Sequence, residues 1–237
     1  MEKHYLETGK GRLFYLHQGS GEPLLFLHGN NEDSSIFQNQ YNFFTQKYSV
    51  YALDTRGHGQ SDFAVQSLTF KRVAEDILLL MDQNGLDSVH IIGYSDGGNI
   101  GLYFSSHFPE RVKSLITMGA NYEADALVEP LYQDLLEEKE KLQMITDEKD
   151  RRRKESVLQL MLDNLDLTEQ DLQSISIPVF VMAGEKDVIK RSHTEKIAEI
   201  IPKAELFLVP EGGHDFFIDN PDSLKEAATL FYKKISN

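Results

Sequence analysis

The chain has 237 residues and a formal net charge of −14, with 24 Lys and Arg against 38 Asp and Glu. Such an acidic balance opposes binding to nucleic acid or to anionic membrane surfaces, because phosphates are also negative. The absence of cysteine excludes disulfides, thiolate catalysis and any cysteine metal site. The length suits one sizeable core, and ordinary apolar and charged fractions argue against disorder.

Taken in chain order, the N-terminus Met1-Glu2-Lys3-His4-Tyr5 begins charged, without the apolar core of a signal peptide. No apolar run approaches the ~20 residues that span a bilayer. The expectation is a soluble cytoplasmic protein. Residues 4–8 and 11–17, on either side of Gly9-Lys10-Gly11, read as a hairpin. Short apolar runs follow at 24–27, 50–53, 89–93, 115–118, 179–182 and 206–209, each closed by Gly, Asp, Ser or Pro or ending at His28-Gly29. Continuous apolar runs bounded in this way predict strands buried on both faces, as in a parallel sheet. Residues 70–84 place Val73, Ile77, Leu80 and Met81 on one helical face. Residues 97–108 and 221–235 also read as helices, the latter entered through Pro221. Strand–helix alternation predicts an α/β fold with helices on both faces of the sheet.

Residues 122–174 break that rhythm. Leu131, Leu135, Leu142 and Ile145 mark one amphipathic helix, and Val157, Met161 and Leu165 a second. Thr168 and Asp171 form a capping-box pattern that opens a third short turn. The segment reads as a helical insertion, so residues 1–121 and 175–237 form the core and 122–174 the insert. The basic run Arg151-Arg152-Arg153-Lys154 reads as a solvated helix start.

The sharpest chemical signal is Gly93-Tyr94-Ser95-Asp96-Gly97, which matches G-x-S-x-G between an apolar strand and a helix. A serine on such a turn projects its hydroxyl from the sheet edge, while Gly93 and Gly97 keep side chains out of the crowded turn. The hydroxyl needs a base. Of eight histidines, His214 in Gly212-Gly213-His214-Asp215 lies just past the last apolar strand, on a loop free to bend. His28 and His58 are the competitors, and both read better as loop organisers. His4, His17, His90, His107 and His193 read as structural. Asp187, in Gly184-Glu185-Lys186-Asp187, is the carboxylate that would orient His214; Glu185 is the runner-up, and Asp215 is too near His214 in the chain to face its ring easily. After the strand that ends at Met118, where an acid would also serve, stands Asn121. The order Ser, Asp, His is the one expected of a serine hydrolase on this type of sheet. The oxyanion hole is assigned to the backbone N–H groups of Asp96 and Asn30.

Together, His28-Gly29-Asn30, the Asp54-Thr55-Arg56-Gly57-His58-Gly59-Gln60-Ser61-Asp62 segment, the Ser95 elbow, Gly184-Glu185-Lys186-Asp187 and Gly212-Gly213-His214 resemble the α/β-hydrolase superfamily. They look like its lidded branch of small esterases, perhydrolases and carbon–carbon bond hydrolases. The resemblance implies an eight-stranded, mostly parallel sheet, a short helical lid after the sixth strand, and catalysis without a cofactor or metal. A serine at the elbow argues against the haloalkane dehalogenase and epoxide hydrolase branches, which use aspartate there. The reaction expected is hydrolysis of a small-molecule ester or related acyl bond. A carbon–carbon bond hydrolase or thioesterase with the same residues, and a non-catalytic ligand-binding member, are the alternatives. A Ser-Asp-Gly-Gly elbow also resembles that of amino-acid-ester hydrolases, in which acidic groups favour a substrate ammonium. On this reading Asp96 faces the substrate; on the other it bonds a backbone amide at the helix start. Met118, Tyr122, Leu131, Leu135, Met161 and Phe217 are the candidates for an apolar pocket wall. The sequence leaves oligomeric state open.

Overall fold

The computed structural model describes residues 1–163 and 165–236. Eight strands form one sheet: β1 (Glu2–Thr8), β2 (Gly11–Gln18), β3 (Glu22–Leu27), β4 (Tyr48–Leu53), β5 (Val89–Tyr94), β6 (Val112–Met118), β7 (Val179–Gly184) and β8 (Ala204–Val209). Their spatial order is β1-β2-β4-β3-β5-β6-β7-β8. β1 and β2 form the expected hairpin, and β2 joins β4 antiparallel. Every pairing from β4 onward is parallel. The candidate nucleophile therefore follows a central strand, β5, held between β3 and β6.

The inner strands β3 to β7 carry apolar runs because both of their faces are covered. The run at 206–209 departs from expectation: β8 is an edge strand, and Leu206 and Phe207 are 39% and 40% exposed. Alternate side chains point to opposite faces. Leu25, Leu27, Ile91 and Leu115 enter one core layer with α2 (Phe70–Gln83), α3 (Asp96–His107) and α7 (Arg191–Ile200). Leu24, Phe26, Ile92 and Ile116 enter the other with α1 (Gln38–Phe44) and α9 (Pro221–Ile235). A half-exposed sheet would show period-two alternation in sequence; this one shows continuous runs instead.

Between β6 and β7 lie α4 (Glu129–Leu142), α5 (Glu148–Leu162) and α6 (Glu169–Ser174), with no strand among the described residues there. Leu135, Leu142 and Leu158 form a small core of their own with Leu127 and Ile189. Two helix limits differ from expectation. Ile145 lies past α4, because the Asp147 side chain accepts from Asp150 N and opens a new helix. Leu165 lies past α5, where its N–H donates to the Tyr122 carbonyl. The capping box at Thr168 and Asp171 is present and opens α6. In the basic run, Arg153 donates to the Gly57 carbonyl, so this side chain ties α5 to the core.

No helix among the described residues is long and apolar enough to cross a membrane.

Candidate active site

Ser95 sits between β5 and α3 with φ 51° and ψ −119°. This left-handed backbone is costly for a residue with a Cβ. It is held by Ser95 N donating to the Met118 carbonyl at 2.8 Å and by Asn99 N donating to the Ser95 carbonyl at 3.0 Å. The turn closes only because its flanks lack side chains. A Cβ on Gly97 would stand 2.0 Å from the Leu27 carbonyl oxygen, and one on Gly93 would stand 2.2 Å from that of Gly97.

The loop after β8 carries His214, with Gly212 and Gly213 carbonyls packed against Gly184. His214 Nδ1 lies 2.7 Å from Asp187 Oδ1, and the Asp187 side chain is only 2% exposed. The same carboxylate oxygen accepts from Ile189 N at 2.9 Å. This contact fixes the ring with Nδ1–H toward the carboxylate and leaves Nε2 as the basic nitrogen. Burial disfavours the imidazolium, but the Asp187 hydrogen bond and the charges of Asp187, Asp215 and Glu32 outweigh it, and His214 is held above the usual imidazole range. The ring fits because residue 119 is a glycine with φ 62°; a Cβ there would meet His214 Cε1 at 2.5 Å.

Ser95 and His214 face one cavity of about 360 Å³. Its apolar wall includes Leu131, Leu135 and Met161, together with Leu127 and Ile189. Met118, Tyr122 and Phe217 do not line it. Met118 and Phe217 point from β6 and from the turn after His214 into one core layer. Tyr122 is buried beside His193, with ring centroids 4.7 Å apart. Their apolar character serves packing, the ordinary fate of large side chains next to a sheet.

Asn30 and Asp96 meet directly. Asn30 Nδ2 donates to Asp96 Oδ2 and to the Val157 carbonyl, each at 2.7 Å. Asp96 Oδ1 accepts from Asn99 Nδ2 at 3.2 Å. Asp96 thus lies on the cavity wall, and its partners are two side-chain amides; neither is a backbone amide at the helix start. Burial pushes its carboxyl up to about 6 against those two hydrogen bonds.

His28 and His58 are removed from the chemistry by their bonds. His28 Nδ1 donates to the Gly29 carbonyl at 2.8 Å, and Nε2 accepts from Thr55 N at 2.9 Å. Burial holds it neutral, down to about 4. His58 lies 3.0 Å from Thr55 Oγ1, and burial holds it down to about 3. Glu185 accepts from Glu211 N, away from His214.

Glu32 was missed by sequence reasoning. Its Oε2 accepts from Gly29 N at 3.0 Å, and its side chain lines the cavity. Burial, aided by the Asp215 charge, pushes it up to about 7 against the Gly29 amide. Asp215 also lines the cavity and accepts from the Tyr94 hydroxyl. Glu32, Asp96 and Asp215 give the wall three carboxylates; no Lys or Arg is among its described lining residues. No group of three or more His, Cys, Asp or Glu able to hold a metal is present among the described residues.

The family model described as the alpha/beta hydrolase fold matches residues 22–153, more than half of the sequence. The chain belongs to the alpha/beta hydrolase fold family. Among relatives, an acetyltransferase component of the acetoin cleaving system from Pseudomonas putida is 27% identical over 94% of this chain and 66% of its own length. This chain therefore spans just under two thirds of that protein. A putative esterase/lipase from Haemophilus influenzae is 25% identical over 89% of this chain and 83% of its own. Among solved structures, a hydrolase from Pseudomonas aeruginosa superposes with a TM-score of 0.84 at 22% identity, covering 97% of this chain and 98% of that one. Within this fold, the turn after β5 and the loops after β7 and β8 are where the three candidate catalytic side chains stand.

Proposed function

We propose that this alpha/beta hydrolase is a serine hydrolase that cleaves a small carboxylic ester, or a related acyl bond, through an acyl-enzyme on Ser95. The observation that carries the reading is the contact at 2.7 Å between the buried Asp187 side chain and His214, whose ring lines the same cavity that Ser95 faces. His214 Nε2 takes the Ser95 proton as Oγ attacks the acyl carbon. The backbone N–H groups of Asn30 and Asp96 hold the oxyanion, and Asp187 stabilises the imidazolium. The protonated His214 gives its proton to the leaving alcohol. It then activates a water that releases the acid and frees Ser95. No cofactor enters these steps. Residues 122–174 act as a helical lid whose Leu131, Leu135 and Met161 cover the acyl group.

Three acidic side chains on the wall, with no Lys or Arg among the described lining residues, favour neutral or ammonium-bearing acyl groups over those that carry a second, free carboxylate. The similarity to a putative esterase/lipase supports the bond type. The test is turnover of a p-nitrophenyl ester series, acetyl to dodecanoyl, beside aminoacyl esters, with Ser95→Ala in parallel and fluorophosphonate labelling of both proteins. Labelling and turnover that vanish together in Ser95→Ala are expected. Turnover that persists in the variant above a few per cent overturns the assignment.

A further inference from the structure

We propose that a second site, on the outer side of α5, binds a small molecule carrying two or more phosphate groups. It is a surface cleft of about 960 Å³, built where the β1–β2 turn, the loop at 63–69 and the first turns of α5 meet. Lys10, Arg72, Lys149 and Arg152 converge on it from three separate stretches of chain. In a protein of net charge −14, four cations around one concavity are a local concentration of positive charge.

The pairing pattern separates this cleft from an ordinary solvated helix start. In the basic run, Arg151 pairs with Glu155, Arg153 with Asp150, and Lys154 with Asp150. Arg152 has no such carboxylate among the described residues, and it is the member of the run that lines the cleft. Lys149, three residues earlier on the same helix face, is likewise free of a carboxylate partner there, and so is Lys10 across the cleft. Arg72 shares its guanidinium with Glu75 at 2.7 Å, which leaves further N–H donors. Lys10 is not on a loose tip. Its N–H donates to Thr8 Oγ1 at 3.0 Å and its carbonyl accepts from the buried Arg56. One carboxylate, Glu148, stands on the wall, and with Glu75 on Arg72 two negative charges face the four cations. Phe63 and Val65 supply an apolar floor for the carbon body of the ligand. Multiple phosphate oxygens match this donor set, since Arg and Lys bind them by charge-assisted hydrogen bonds.

The cleft and the candidate active site share α5. Arg152 lines the first and Met161 the second, nine residues apart, about 14 Å along a helix. The phosphates can therefore belong to a free effector or to a carrier attached to the acyl group.

The test is isothermal calorimetry of the full chain with pyrophosphate at fixed ionic strength, using wild type, Lys149→Glu/Arg152→Glu and Lys10→Glu. Expected is saturable one-to-one binding to wild type, with Kd raised tenfold or more in each variant. Fluorophosphonate labelling of Ser95 should match wild type in both variants, which keeps the outcome independent of the catalytic reading. No saturable binding at millimolar pyrophosphate, or an unchanged Kd in the variants, overturns the proposal. Given binding, an acyl-coenzyme A thioester, whose carrier holds three phosphates, separates the sources. A KM raised in the variants, with p-nitrophenyl acetate unaffected, supports the carrier; competition by pyrophosphate without substrate dependence supports the effector.

Discussion

Asp187 uses one oxygen, Oδ1, for both the His214 ring and the Ile189 amide. The backbone thus fixes the carboxylate, and the carboxylate fixes the imidazole. The order of dependence predicts what each substitution does.

Asp187→Asn keeps the side-chain shape but presents an uncharged group to His214 Nδ1. The amide can turn its NH₂ to the ring and stabilise the wrong tautomer, with the proton on Nε2. The expected loss in kcat is about 10³–10⁴-fold, with little change in thermal stability. Steady-state kinetics on the best p-nitrophenyl ester checks this, and a loss below tenfold would remove Asp187 from the reaction.

The pH profile follows from the same contact. His214 acts as a base only when neutral, and its pKa is raised above the ordinary value because Asp187, Asp215 and Glu32 outweigh burial. The acid limb of kcat/KM is therefore expected above pH 6.5. Glu32→Gln removes one of those charges, so the limb should move to lower pH. A limb that stays in place would mean that the Glu32 charge does not reach the ring in the working enzyme.

The framework was legible because both faces of the sheet are buried: the runs at 24–27 and 89–93 have no polar alternation to confuse with a surface strand. Ser95, Asp187 and His214 stood out because each follows an apolar run on a turn rich in glycine. Glu32 gave no signal, since its place is set by a backbone N–H at Gly29 that the loop supplies only when folded. Gly119 was silent for a similar reason: the ring it makes room for comes from 95 residues later in the chain. Apolar identity also could not separate the cavity wall from the core, so Met118, Tyr122 and Phe217 were indistinguishable from Leu131, Leu135 and Met161.

Asn30 joins three parts of the site through one side-chain nitrogen: its own loop after β3, Asp96 on α3 and Val157 on α5. Asn30→Ala keeps the backbone N–H but releases the loop that carries it. A displacement of that donor by about 1 Å is worth up to ~10²-fold, so kcat should fall about 10–100-fold. KM should change less. A kcat within twofold of wild type would show that the loop is held without this side chain.

Arg56 and Asp76 form a buried two-point ion pair, 2.7 and 2.8 Å, with side chains 1% and 5% exposed. Asp76→Ala strands a guanidinium that still bonds the Lys10 carbonyl. The expected cost is about 3–5 kcal/mol of unfolding free energy, read by urea denaturation. Fluorophosphonate labelling of the folded fraction should persist, because the pair lies outside the candidate active site. A cost under 1 kcal/mol would mean that water or a neighbouring group re-pairs the arginine.

Ser95 itself holds backbone strain. At φ 51° a Cβ is crowded whatever follows it, so Ser95→Ala loses the hydroxyl and keeps the strain. Ser95→Gly loses both. Strain in such a conformation is worth about 1–3 kcal/mol, and glycine gives back about 0.5–1 kcal/mol through the freedom it adds to the unfolded chain. Ser95→Gly should therefore unfold at higher denaturant than Ser95→Ala, by about 1 kcal/mol, while both are equally inactive. The comparison isolates the backbone because neither variant retains the hydroxyl. Equal stability of the two variants would mean that the turn relaxes once the serine is gone, and that the hydroxyl, more than the fold around it, holds the backbone there.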